Sequence, residues 1–107
     1  MAINWTDVLS KVEQAVGGIV GPAWQNASGA STQFAAIIAA GQKIEKMQNM
    51  AQAEYDSLKL MQQRALEGVL QTYAGISPDV AQQAAAAAWS AVVAAVKTAC
   101  PALGLIL

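Results

Sequence analysis

Few side chains in this sequence could do chemistry. Glu45, Glu54, Asp56 and Glu67 are interleaved with Lys43, Lys46, Lys59 and Arg64 along one stretch. Two carboxylates act as general acid and base only where they converge on one substrate. Glu54 and Asp56 stand two residues apart, which puts them on different faces of a helix. Histidine is absent and Cys100 is the single cysteine. That excludes histidine-based acid–base or triad catalysis, an internal disulfide and a Cys/His metal site. Cys100 lies in an apolar tail before Pro101, the setting of an inert buried thiol rather than a nucleophile. The glycine-rich segment Gly17–Pro22 lacks the Lys-Ser/Thr that must follow a phosphate-cradling loop. These charges read as a solvated face, and the chain is expected to be no enzyme, with no catalytic residue, cofactor or metal.

The elements that carry these groups are more telling. The 107 residues are 55% hydrophobic and only 12% charged, with a net charge of −1. An average soluble domain is roughly 25% charged. One small domain with so few charges has more apolar surface than it can cover alone, which predicts burial against partners or lipid. No basic field is present to recruit nucleic acid, so sequence-specific nucleic-acid binding is not expected. The N-terminus lacks a positive start followed by an apolar core, so no secretory signal is read and synthesis in the cytoplasm is expected.

The pattern predicts an all-α chain of three helices with a long central one, coiled-coil or bundle-like and oligomeric, as one domain over 1–107. Asn4, three residues before Asp7, opens a first amphipathic helix over 5–16, which Gly17-Gly18 would end. Residues 17–31 read as a glycine-rich joint. The central helix is expected over 32–73, since no proline interrupts it, and at that length it is expected either to project or to bend near Gly41 or Gly68. Its seam is Ile44, Met47, Ala51, Tyr55, Leu58, Gln62, Leu66, Val69 and Tyr73, in a 3-4-4 rhythm. Ser77-Pro78-Asp79 then caps an alanine-rich helix over 78–99. Residues 100–107 form an apolar tail.

Two sets of surface residues follow. Ile44, Met47, Ala51, Tyr55, Leu58, Leu66, Val69 and Tyr73, with Val92, Val93 and Val96, are the candidate oligomer interface. Trp5, Val8, Leu9, Trp24, Leu103, Leu105, Ile106 and Leu107 are the candidates for membrane contact. Residues 84–107 are long enough to span a bilayer, but Lys97, Pro101 and the weak hydrophobicity of alanine argue against a simple span.

A Gly/Ala-rich apolar N-terminal region leads into QKIEKMQNMAQAEYDSLKLMQQR, residues 42–64. This layout, over about residues 15–73, resembles the DNA pilot proteins of small single-stranded-DNA phages and, more loosely, the ejection proteins of tailed phages. The resemblance implies a minor virion component that aids genome delivery through the host envelope. Helices would bundle through the central seam into a tube, apolar ends would meet the membrane, and the protein would reside in the virion or the host envelope. The alternative is a small helical interaction or scaffold protein, such as a secreted hairpin or an assembly chaperone. The Trp-x-Gly turn of one family of secreted hairpins does not occur: Trp5, Trp24 and Trp89 precede Thr-Asp, Gln-Asn and Ser-Ala.

Overall fold

The computed structural model describes residues 3–26, 29–47 and 50–99, and they are helical throughout apart from short connections. Helix α1 spans Trp5–Val20 and is followed by a short 3-10 helix, Gly21–Asn26. Helices α2 (Ala30–Lys46), α3 (Gln52–Ala74) and α4 (Pro78–Ala99) complete a compact all-α bundle. It measures 38 × 27 × 18 Å. There are thus four α-helices among the described residues, where the spacing predicts three.

The cause of the first local difference is a glycine used for packing. Asn4 caps α1 as the sequence predicts, its Oδ1 accepting from the Asp7 backbone N–H at 3.2 Å. The helix then runs through Gly17-Gly18 and leaves at Gly21, whose φ of 70° lies in the left-handed region that favours glycine. A Cβ on Gly17 would stand 3.3 Å from the Trp24 indole nitrogen. Gly17 therefore makes room for Trp24 as the 3-10 helix folds back, and Trp24 meets Phe34 of α2 edge-on at 5.1 Å. Much of the expected loose joint is ordered helix.

The second difference is larger. The expected helix over 32–73 is two helices, α2 and α3, packed on each other. Met47 ends α2 with φ −99° and ψ 68°, its carbonyl accepting from the Met50 N–H at 3.0 Å, and extended Ala51 starts α3. Neither glycine nor proline stands between Lys46 and Gln52, so local propensity does not demand the break. Packing does. A straight helix of 42 residues would be about 63 Å long and would leave most of its apolar stripe in water. Folded back, the two halves bury Phe34, Ile37, Ile44, Met50, Tyr55, Leu66 and Leu70 in one cluster with α1 and α4.

Helix α4 occupies the centre, packed against α1, α3 and α2. Its buried face is Ala81, Ala84, Ala85, Ala88, Trp89, Val92 and Val96, at the three- and four-residue spacing of one helical stripe. Alanine on this face lets neighbouring backbones approach closely. Gly41 of α2 does the same from the other side. A Cβ there would fall 2.6 Å from the Val92 Cγ1 and 2.8 Å from the Trp5 ring. No described helix is long and apolar enough to cross a membrane.

Candidate interaction surface

Of the residues expected to form an oligomer seam, the fold spends five on itself. Ile44, Leu66 and Val92 are fully buried, Val96 is 1% exposed and Tyr55 3%. Leu58 and Val93 are half-buried and pack against the same core. Val69 is half-buried, while Met47 and Ala51 are exposed at the turn between α2 and α3. The Tyr73 side chain falls outside the described residues. The reason is geometric: once the long helix folds in two, its 3-4-4 stripe faces α1 and α4 instead of the outside. As a seam between copies of this folded chain, Ile44, Tyr55, Leu66, Val92 and Val96 are not accessible.

The membrane-contact candidates divide similarly. Val8 is buried at 3%, and Trp5, Leu9 and Trp24 are half-buried against the core. Trp5 lies over Gly41, and Trp24 between Gly17 and Phe34. Tryptophan at a helix start is here a packing anchor. Leu103, Leu105, Ile106 and Leu107 lie outside the described residues.

Side-chain hydrogen bonds tie the helices to one another. Tyr55 and Trp89 meet across α3 and α4, the indole Nε1 donating to the Tyr55 hydroxyl at 2.9 Å. Burial pushes the Tyr55 phenol above its ordinary value, the Trp89 donor pulls it back and the Asp56 carboxylate pushes it up again. Gln33 of α2 donates through Nε2 to Gln62 Oε1 of α3 at 3.1 Å, a tie between the two halves of the hairpin. Gln62, the one polar residue within the seam, is accounted for by this bond. Among the described residues no buried side-chain polar atom lacks a partner, and no three His, Cys, Asp or Glu cluster to hold a metal. The ion pair between Asp7 and Lys11, at 3.3 Å, is exposed and stabilises α1 by a few tenths of a kcal/mol, roughly.

Besides a cleft of about 510 Å³ between α1 and the 3-10 helix, two clefts in the surface are lined by α4. One, of about 320 Å³, lies between the start of α1 and the end of α4, with Ile3 and Val8 facing Ala91 and Ala95. The other, of about 410 Å³, lies between α3 and α4, where Lys59 and Lys97 flank Trp89 and Val93. Ser90 and Tyr55 line the second cleft with the two lysines, and Asp7, Lys11 and Thr98 line the first.

What the seam did not point to is the opposite side of α3. Leu60 is 46% exposed and Met61 60%, the two most exposed large apolar residues among those described. They stand among Ser57, Arg64 and Ala65, all exposed. The available signal was an adjacent Leu-Met pair on the side away from the 3-4-4 stripe. Compared with known protein families, curated proteins and solved structures, the chain matches none.

Proposed function

We propose that this chain is a non-enzymatic assembly protein that acts as a folded bundle, docking to copies of itself or into a larger particle. The observation that carries this reading is the division of its apolar residues. Most form a self-sufficient core, while Leu60 and Met61 remain in water on α3. Exposed leucine and methionine side by side cost solubility and contribute nothing to the core, so their use is at an interface. The particular role implied by the resemblance over residues 15–73 is that of a minor phage virion component aiding genome delivery. In this fold such a component works through the outer face of α3 and not through a tube closed by the 44–73 stripe.

The scaffold or small interaction protein is the second reading, favoured by the compact bundle itself, which needs no partner to bury its core. Purified virions and their host lysates discriminate between the two. Under the virion reading the chain co-sediments with particles, and the purified protein forms rings or tubes in electron micrographs or releases dye from liposomes. A protein missing from particles and inert towards liposomes leaves the scaffold reading standing alone.

A further inference from the structure

We infer that α3 pairs antiparallel with α3 of a second copy, about a two-fold axis passing between Leu60 and Met61. The inference rests on the assembly reading and deepens it by naming surface, partner and geometry. At about 100° per residue, Ala53, Ser57, Leu60, Met61, Arg64 and Gly68 fall on one face of α3 within an arc of some 120°. All six are exposed. Their order is symmetric about the Leu60–Met61 pair. Ser57 and Arg64 lie three residues out from the Leu60–Met61 pair on either side, and Ala53 and Gly68 lie seven out.

A two-fold axis at that point sets Leu60 against Met61 of the second copy, and Met61 against its Leu60. The same operation sets Ala53 against Gly68, two residues small enough for the backbones to approach. A Cβ on Gly68 meets nothing within 4 Å in the single chain, so the fold itself has no use for a glycine there. Mid-helix glycine costs about 1 kcal/mol against alanine. Close approach by a second helix gives that cost a purpose.

Charge selects the antiparallel direction. Arg64 and Glu54 are both exposed, and neither forms an ion pair among the described residues. In the antiparallel pair Arg64 stands opposite Ser57 of the second copy, one turn from its Glu54, a displacement of about 4.5 Å along the axis. The arginine side chain spans that distance, and symmetry forms the contact twice. A parallel pair would set Arg64 against Arg64 and Glu54 against Glu54. Of the six face residues only Arg64 is charged, and the acids Glu54, Asp56 and Glu67 stand at its edges, so the face offers no net attraction to an anionic lipid surface.

Sedimentation of the full chain across the micromolar range tests the pairing, with circular dichroism as a check on folding. The chain is expected to dimerise. Met61→Glu should leave it helical and monomeric, since the side chain is in water in the single copy. Arg64→Glu and Glu54→Arg should each weaken the dimer about ten-fold or more, and the double exchange should recover it. The charge exchange leaves every apolar residue in place, so it tests direction and register separately from hydrophobic contact. Dimers indifferent to Met61→Glu and to both single reversals would overturn this pairing and leave the assembly reading in place. A double exchange that fails to recover association also overturns it, as does a chain that associates only with lipid vesicles. A chain that stays monomeric throughout and joins no particle removes both readings.

Discussion

At the scale of the residue, the glycines of this chain divide by what a single methyl would meet. In α2, Gly41→Ala gains up to about 1 kcal/mol of helix propensity. It also drives a Cβ to 2.6 Å from Val92 and 2.8 Å from Trp5. Overpacking a well-filled core costs about 1–3 kcal/mol, so the clash outweighs the gain. Chemical denaturation of Gly41→Ala is expected to show net destabilisation; unchanged or higher stability would mean that α1, α2 and α4 do not meet as closely as described. Gly68→Ala makes the same propensity gain with open space around it and should stabilise the isolated chain by about 0.5–1 kcal/mol. One substitution type thus has opposite signs at two sites, and only the neighbours differ.

Tyr55 supplies a test of the same scale that depends on pH. Removing its hydroxyl in Tyr55→Phe leaves the buried Trp89 Nε1–H without its acceptor, at a cost of about 1–3 kcal/mol. The phenol is held above its ordinary value chiefly by burial. A group raised in the folded state stabilises the fold fully below its unfolded value, near ~10 for tyrosine, and less as pH rises through the folded value. Wild-type stability should therefore fall relative to Tyr55→Phe above about pH 10. If denaturation midpoints of the two proteins run parallel through that range, Tyr55 is not buried as described.

At the scale of the element, the hairpin of α2 and α3 is where local and tertiary preferences disagree. From Thr32 to Tyr73 every residue but Gly41 and Gly68 tolerates a helix, and the apolar stripe continues in phase across the break. Folding back is selected because Ile44, Met50 and Tyr55 then share one core with Val12, Val16 and Trp89. Met50, 6% exposed at the turn, holds both halves. Met50→Asp would bury an unpaired carboxylate and should cost several kcal/mol or raise that carboxyl's pKa. Spin labels at Ser31 and Gln71 check the geometry directly: a hairpin keeps them far closer than the about 60 Å of a continuous helix over those 40 residues. A distance near the latter would rule the hairpin out.

At the scale of the whole molecule, the fold turns an apolar composition into a small bundle with a Cα radius of gyration of 13.4 Å. Alanine is the means. Ala81, Ala84, Ala85 and Ala88 bring α4 close to its neighbours, so a low-charge chain buries its larger apolar groups without a long projecting helix. Small-angle scattering at low concentration should give a globular profile near that radius after allowance for hydration, and a larger radius as α3 faces pair. A rod-like profile at every concentration would exclude this bundle.

Legible in the sequence alone are the all-α class and two helix starts, the Asn4 cap and Pro78; the structure adds a left-handed exit from α3 at Gly75, whose φ is 68°. The starts are legible because a cap and a fixed proline φ depend on a few adjacent residues. The absence of histidine was equally a matter of residue types. Where the long stripe faces was settled only in three dimensions. Ile44, Tyr55 and Leu66 have the same spacing whether they line a partner or their own core, and periodicity reports a buried face without saying what buries it. The break after Lys46 has no glycine or proline to announce it, because it arises from the free energy of closing a core among distant residues. Leu60 and Met61 became the candidate interface for the same reason: once the hairpin closed and took the stripe inward, they were the large apolar side chains left most exposed among the described residues.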